Sequence, residues 1–207
     1  MTTDDKPRRF GPLGVPALHD NSAIGLLGGS FNPAHDGHRE ISIAALEIFN
    51  LDAVWWLVSP GNPLKDPAQY APYQERLAQA RKAARHPKIV ISDFENRKSL
   101  QYTVDTLETL KDLWQNVRFV WLMGADSLNS FHHWKDWSRI SELAPMAVFN
   151  RPGHENAFES APAAKELAPF RVEPENAVTI FENAPPAWTF IPSTENSISS
   201  TKLRSKK

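Results

Sequence analysis

A short apolar strand that ends at two glycines and is followed by a helix constrains this fold more than any other feature. The apolar run Ile24–Leu27 stops at Gly28-Gly29, and apolar residues then recur at helical spacing from His38 to Phe49. The next run, Ala53–Val58, is continuously apolar, which is typical of a parallel strand buried on both faces. Strand, helix and strand in this order predict a βαβ unit.

The same alternation continues along most of the chain. It predicts further helices at 73–85, 103–114, 137–143 and 157–167, and further strands at 88–92, 117–123, 146–149, 178–181 and 189–191. This order predicts an α/β fold, an open and mostly parallel sheet with helices on both faces. In such sheets, ligands bind beyond the carboxyl ends of the strands.

The length of 207 residues suits one domain. We expect that domain to span residues 22–207. Residues 1–21, which are polar and broken by prolines, are expected to form a loosely ordered N-terminal extension.

Composition excludes several functions. The 23 basic and 24 acidic side chains nearly cancel, whereas a general nucleic-acid-binding surface is usually strongly basic. The absence of cysteine excludes disulfides, thiolate zinc sites and cysteine nucleophiles. No apolar run approaches the roughly 20 residues that span a bilayer, and no apolar signal segment follows Arg8-Arg9. We therefore expect a cytoplasmic protein that binds neither nucleic acid nor membrane; its oligomeric state stays open.

The segment from Gly28 to His38, GGSFNPAHDGH, has the composition of a phosphate-binding loop. Glycines allow a sharp turn and a close ligand approach, and the free N–H groups at the start of the following helix suit an anion. His35 and His38 lie three residues apart and project from one side of that helix. Their hydrogen bonds to phosphate oxygens would strengthen as charge builds in a transition state. A zinc site is the alternative, but no carboxylate or third histidine accompanies the pair.

A second candidate anion site lies near the C-terminus, in the sequence ISSTKLR. Ser199 or Ser200 can cap a helix. The hydroxyls of Ser200 and Thr201, with Arg204 one turn later, suit the β- and γ-phosphates of ATP. Taken alone, these residues are explained equally by an ordinary capped helix with a basic end. The presence of the first motif favours a phosphate site.

GGSFNPAHDGH and ISSTKLR resemble the two signature motifs of the nucleotidyltransferase superfamily marked by [T/H]-x-G-H. Within it, the chain resembles the bacterial nicotinate-nucleotide adenylyltransferases through segments 62–65, 102–107 and 123–134 and through Arg151-Pro152-Gly153. The resemblance covers about residues 22 to 204 and implies a single Rossmann-like domain. Asn32 departs from the pattern, because aspartate is common at this position; either residue suits a turn that bonds its own backbone.

The resemblance implies transfer of the adenylyl group of ATP to nicotinate mononucleotide, with Mg²⁺ on the ATP phosphates, no protein-bound metal and no covalent enzyme intermediate. It makes His35, His38 and Arg204 catalytic. It assigns ATP and phosphate binding to Gly28, Gly29, Ser30, Phe31, Lys65, Ser199, Ser200 and Thr201, and the mononucleotide to Thr103, Asp126, Trp134 and Arg151. Two alternatives stay open. One is a sister enzyme with another acceptor, such as nicotinamide mononucleotide or phosphopantetheine, and the other is a non-catalytic nucleotide-binding protein.

Overall fold

The computed structural model describes residues 14–61, 70–151, 153, 154 and 156–192. The strands are β1 (Ala23–Gly29), β2 (Ala53–Val58), β3 (Ile89–Ser92), β4 (Arg118–Gly124), β5 (Met146–Phe149), β6 (Arg171–Val172) and β7 (Trp188–Ile191). The helices are α1 (Asp36–Ile48), α2 (Tyr73–Ala84), α3 (Phe94–Lys98), α4 (Thr103–Leu113), α5 (Ala125–Leu128), α6 (Trp137–Leu143), α7 (Ala157–Ser160) and α8 (Pro162–Glu166). Within these described residues, 3₁₀ helices span Phe131–His133, Ala168–Phe170 and Pro174–Glu182.

The strands form one seven-stranded sheet in the order β3-β2-β1-β4-β5-β7-β6, and every neighbouring pair is parallel. The chain builds the sheet outward from β1 to β3 on one side and then from β4 on the other. The order therefore reverses between β1 and β4, which is the position where ligands bind in open sheets of this kind. The predicted fold class is confirmed.

The two faces of the sheet carry separate apolar cores. On one face α1, α2 and the 3₁₀ helix Pro174–Glu182 pack on β1–β5, and on the other face α3, α4, α6, α7 and α8 cover the sheet. Successive residues of a strand point to opposite faces, so Trp55 and Trp56 enter different cores, and both are fully buried. Helices on both faces account for the continuous apolar run of β2.

The structure corrects three sequence expectations. The predicted strand 178–181 lies inside the 3₁₀ helix Pro174–Glu182, since a short apolar run does not distinguish the two structures. The predicted helix 157–167 is broken into α7 and α8, because Ala161, before Pro162, is extended (ψ 134°). The helical spacing of residues 103–114 also predicts that Leu113 faces the core, but Leu113 is 42% exposed at the end of α4. The short α3 and β6 were not predicted.

Residues 14–21 pack against the domain. Val15 is buried among core residues that include Phe94. Asn21 donates its N–H to the carbonyl of Asn116 (2.7 Å) and accepts two hydrogen bonds from Arg118. Residues 1–13 and the predicted C-terminal helix lie outside the described residues, and the division into an extension and a domain stays a prediction. None of the helices in the described part of the chain is long and apolar enough to cross a membrane.

Candidate active site

Three segments that each follow a strand meet beside the point where the strand order reverses. His35 follows β1, Asp126 follows β4 and Arg151 follows β5, and the three strands are adjacent and parallel. The charges of Arg151 and Asp126 both act on the His35 imidazole, which places these side chains near one another. The sheet thus brings together residues that lie up to 116 positions apart in the sequence.

The sharp turn lies after the glycine pair rather than at it. Gly28 and Gly29 are still in β1, where they pair with Leu57 and Val58. The chain turns at residues 30–33, where Phe31 has a φ of +47° and the Asn32-Pro33 peptide is cis. A side chain at Gly28 would lie 2.5 Å from the ring atom Cη2 of Trp121, so close packing explains this glycine.

The two histidines are in contact at the start of α1. His35 immediately precedes the helix, and His38 lies in its first turn. The backbone N–H of His35 donates to Nδ1 of His38 (3.3 Å), and the two ring centroids are 3.8 Å apart. Because Nδ1 of His38 accepts a hydrogen bond, we infer that a neutral His38 carries its proton on Nε2. The Nε2–H group could donate a hydrogen bond to a phosphate oxygen.

Aromatic packing holds His38 in place. The Phe31 ring, fully buried, stacks on Trp56 (4.9 Å) and contacts His38 (4.7 Å). Trp56 donates to the Ser42 hydroxyl (2.7 Å), and that hydroxyl donates to the His38 carbonyl (2.8 Å). The Phe31 side chain is thus part of the core, which leaves only its backbone for contact with a ligand.

Burial makes both histidines neutral at pH 7 in the free protein. It lowers the pKa of His35 to about 4, assisted by the charge of Arg151 and opposed by Asp126 and Asp36. Burial also lowers the pKa of His38 well below its usual value, and the charges of His35 and Arg151 act in the same direction. Within the described part of the chain, Nδ1 of His35 has no hydrogen-bond partner. The pair therefore presents polar but uncharged groups to a ligand.

The His35 pKa predicts a pH-dependent stability. Because the folded-state pKa is about 4 and the unfolded value about 6.5, the unfolded chain binds more protons between these pH values. The free energy of unfolding should therefore fall as the pH decreases from 6.5 to 4. His35→Asn removes this contribution. We expect the Tm of the wild type, relative to His35→Asn, to drop by several degrees across that interval. If the Tm values of the wild type and His35→Asn changed in parallel with pH, the lowered pKa of His35 would be contradicted.

An ion pair lies next to the histidines. Nε of Arg151 is 3.3 Å from Oδ1 of Asp126, and the Arg151 side chain is largely buried. A side chain at Gly124, the last residue of β4, would collide with both partners. The missing side chain at this position leaves room for the pair to form across the carboxyl ends of β4 and β5.

Trp134 and Thr103 lie in one region of the molecule. Trp134 is half-buried and makes edge contacts with Phe131 (5.3 Å between ring centroids) and Trp121 (6.4 Å). Thr103 is the first residue of α4. The neighbour of Trp134, Lys135, lies over the ring of Tyr102 and pairs with Asp105 of α4 (3.2 Å). The expectation that Trp134 and Thr103 share a binding region is compatible with this geometry.

Five predicted site residues cannot be placed. Lys65, Ser199, Ser200, Thr201 and Arg204 lie outside the described residues. In the residues that are described, no group of three or more histidine, aspartate or glutamate side chains is arranged to hold a metal ion.

Sequence reasoning missed two residues that support the loop. Arg76 of α2 is buried and donates four hydrogen bonds to backbone carbonyls, one of them in the loop after β1. The Asn32 side chain accepts from the N–H of Ala71 (3.0 Å), a partner 39 residues away that the sequence did not suggest. Only the three-dimensional structure reveals these contacts, since carbonyl acceptors have no sequence signature.

Comparisons with known proteins agree with this geometry. Residues 26–206 match the cytidylyltransferase-like family. The chain is 47% identical over 185 residues to a probable nicotinate-nucleotide adenylyltransferase of Rhizobium meliloti (strain 1021), covering 89% of this chain and 98% of the relative. It is 48% identical over 183 residues to a protein of the same name from Methylorubrum extorquens (strain PA1), covering 88% and 99%.

Solved structures share the fold at lower identity. The nicotinic acid mononucleotide adenylyltransferase of Plasmodium falciparum, complexed with NaAD, aligns with a TM-score of 0.65 at 18% identity, covering 89% of this chain and 83% of that one. A nicotinate-nucleotide adenylyltransferase structure from Vibrio parahaemolyticus aligns at a TM-score of 0.53 and 18% identity, covering 80% and 99%. By the extent of its match and its identity to these relatives, the chain belongs to the cytidylyltransferase-like family and, within it, to the nicotinate-nucleotide adenylyltransferases.

Proposed function

We propose that this protein transfers the adenylyl group of ATP to nicotinate mononucleotide, producing nicotinate adenine dinucleotide and pyrophosphate. The observation that carries the proposal is the pair of neutral, contacting histidines at the start of α1, beside Arg151 and at the point where the strand order reverses. Family membership supports the choice of substrates. The reaction is a step in the synthesis of NAD.

The chemistry is a single displacement at phosphorus. An oxygen of the mononucleotide 5′-phosphate attacks the α-phosphorus of ATP and forms a new P–O bond. The bond between the α-phosphorus and the oxygen that bridges the α- and β-phosphates breaks, and its electron pair leaves with pyrophosphate. Catalysis of this kind rests on positioning and charge stabilisation rather than on an enzyme nucleophile. Mg²⁺ enters with ATP, as part of the substrate.

The residues around the histidines have distinct roles in this proposal. Nε2–H of His38 and the imidazole of His35 donate hydrogen bonds to ATP phosphate oxygens, and the start of α1 adds its positive dipole. The guanidinium of Arg151, on the β5 side, binds the mononucleotide. Lys65, Ser199, Ser200, Thr201 and Arg204 bind the polyphosphate, and Gly28, Gly29, Ser30 and Phe31 contribute backbone groups. Asp126 binds ribose hydroxyls, Trp134 stacks on the pyridine ring, and Thr103 binds the ring carboxylate.

A direct assay tests the function. The purified full chain is incubated with Mg·ATP and either nicotinate or nicotinamide mononucleotide, and pyrophosphate release and dinucleotide formation are measured. We expect pyrophosphate release to require the mononucleotide and to be faster with nicotinate. Equal rates, or a preference for the amide, would contradict the acceptor; release without any mononucleotide would contradict the transfer reaction itself.

Trp134→Ala should weaken binding of the mononucleotide. Stacking of a base on an aromatic side chain contributes about 1–3 kcal/mol, so we expect the KM for nicotinate mononucleotide to rise about 5- to 150-fold while the KM for ATP changes little. The matched control is Trp137→Ala, because Trp137 is also half-buried and also packs on Phe131 (5.7 Å). Similar KM increases in both variants would show that the effect comes from lost packing rather than from stacking on substrate.

A further inference from the structure

We propose that Arg76, together with Asn32, is a positioning residue for adenylyl transfer: it holds the loop after β1 and the loop after β2 in the arrangement that the reaction needs. This inference rests on the proposed function, and it adds a role that neither the motifs nor the family relationship assigns to these residues.

Arg76 occupies an unusual environment for a cation. Its side chain is only 1% exposed, and the guanidinium lies over the rings of Tyr70 (5.3 Å) and Tyr73 (5.2 Å). Burial lowers its pKa, as expected for a charged group removed from water. A buried charge is costly unless it is hydrogen-bonded. The described hydrogen bonds of Arg76 all go to carbonyl oxygens, whose dipoles stabilise the charge without neutralising it.

The four acceptors connect two loops at the carboxyl edge of the sheet. Nη1 donates to the carbonyl of Ser30 (2.7 Å) and to that of Ser59 (2.8 Å). Nη2 donates to the carbonyl of Pro60 (3.0 Å) and Nε to that of Ala71 (3.1 Å). Ser30 belongs to the phosphate-binding loop, while Ser59 and Pro60 follow β2. One planar, five-donor group thus fixes both loops relative to α2, which a lysine cannot do.

Asn32 makes a second connection between the same two regions. Its Oδ1 accepts a hydrogen bond from the N–H of Ala71 (3.0 Å), the same residue whose carbonyl accepts from Arg76. Asn32 is also buried, at 6% exposure. The side chain of Asn32, from the loop after β1, and that of Arg76, from α2, therefore bind both backbone groups of Ala71.

The hydrogen bonds of Arg76 also orient backbone donors. In a trans peptide, the C=O and N–H groups point in opposite directions. Because the carbonyl of Ser30 points to Arg76, the N–H of Phe31 points away from it; the same holds for Pro60 and the N–H of Gly61. Among the described residues, no atom lies within 4 Å of the position that a side chain at Gly61 would occupy. Arg76 thereby orients two N–H groups and places a positive charge behind the phosphate-binding loop.

Arg76→Lys and Arg76→Met separate geometry from charge. Lysine keeps the charge but cannot bond four carbonyls, so we expect kcat to fall about 10- to 100-fold with the KM for ATP within about threefold of wild type. Methionine removes both, and we expect a further rise in the KM for ATP. Assays are run at about 15 °C with folded protein, after Tm measurement. A lower Tm with kcat and both KM values unchanged would overturn the proposal.

Two control variants remove the contribution of stability. Arg118→Lys is the matched substitution, because Arg118 also donates to a carbonyl and lies over an aromatic ring, but at the start of β4. Leu110→Ala creates a cavity in the opposite core, and its Tm should fall by an amount similar to that of Arg76→Lys. We expect both controls to keep wild-type kcat. A loss in Leu110→Ala equal to that in Arg76→Lys would show that kcat follows stability alone.

If the Arg76 variants fail to fold, the Asn32 variants test whether the contacts between the two loops are needed for the reaction. Asn32→Asp keeps an oxygen acceptor and should stay within about threefold of wild-type kcat, while Asn32→Ala should lose about tenfold. An Asn32→Ala enzyme as active as wild type overturns the proposal. Hydrogen exchange provides a readout that does not depend on the reaction: in Arg76→Lys, but not in Leu110→Ala, the hydrogen-bonded amides of Ser59 and Ala71 should exchange faster. If the wild type does not react with nicotinate mononucleotide, the proposed function is wrong. The exchange experiment still tests whether Arg76 fixes the two loops.

Discussion

His38→Ala is expected to lower kcat by about 10²–10³-fold, the usual effect of removing one donor that stabilises transition-state charge. Nε2–H of His38 is free to donate because Nδ1 accepts from the His35 N–H. If the bond to phosphate strengthens only in the transition state, kcat and kcat/KM for ATP should fall together. Steady-state kinetics of pyrophosphate release measures both values.

Two further variants identify the cause of that loss. His38→Asn can keep an acceptor for the His35 N–H while lacking Nε2, so we expect its Tm to stay closer to wild type than that of His38→Ala, with the same loss of kcat. His133→Ala is the matched control, because His133 is exposed and lies in a different segment. Wild-type turnover in His38→Asn would overturn the role given to Nε2. A comparable loss in His133→Ala would show that the effect is not specific to the start of α1.

The neutrality of the histidines refines the sequence-based prediction. The motif HDGH places two imidazoles near a phosphate, but it does not reveal their charge. In the structure, burial lowers the pKa of both rings, and the charge of Arg151 lowers both further. His38 is buried against the rings of Phe31 and Trp56. Neutral donors allow the free site to exist without two adjacent positive charges. Bound phosphates would then favour protonation of the pair, so we infer that part of the positive charge is acquired only with the substrate.

Features that depend on short stretches of sequence were predictable. The βαβ unit at residues 24–58 follows from apolar periodicity and a glycine pair, and the bounds of β2, α6 and β5 agree with the predictions. The placement of His35 and His38 at a helix start needs only the local motif. Asp126 and Arg151 were expected to bind the mononucleotide by resemblance, and that role stays a prediction, but their ion pair was not foreseen.

Features that depend on distant partners could not be predicted. The acceptors of Arg76 include the carbonyl of Ser30, which is 46 residues away, and a carbonyl is present in every residue. The sequence YQERLAQARKAA indicates a surface helix with several basic residues, and nothing in it distinguishes the buried Arg76 from the exposed Arg81. Similarly, Gly28 was interpreted as a residue of the turn. Its packing against Trp121 depends on the pairing of β1 with β4, two strands that are about 90 residues apart.

Gly28→Ala is expected to destabilise the protein substantially. The added methyl group would lie 2.5 Å from Cη2 and 2.9 Å from Cζ2 of Trp121, a ring that is only 2% exposed. Overpacking of this kind costs typically about 1–3 kcal/mol, which corresponds to a decrease in Tm of roughly 2–12 °C for a domain of this size. Trp121 makes an edge contact with Trp134, so displacement of its ring should also raise the KM for nicotinate mononucleotide. Thermal unfolding and steady-state kinetics test the two effects.

The neighbouring glycine is a matched control for this stability effect. A side chain at Gly29, also in β1, would meet Phe31 at an ordinary 3.5 Å, so Gly29→Ala should leave the Tm nearly unchanged. Replacing the large ring in Gly28→Ala/Trp121→Phe should recover part of the lost stability, because the two substitutions act on one contact and their effects are not additive. Equal Tm values for the Gly28 and Gly29 variants would show that Trp121 adjusts without cost. In that case the packing explanation for Gly28 would be wrong. The glycine would then be needed to leave room for the ligand.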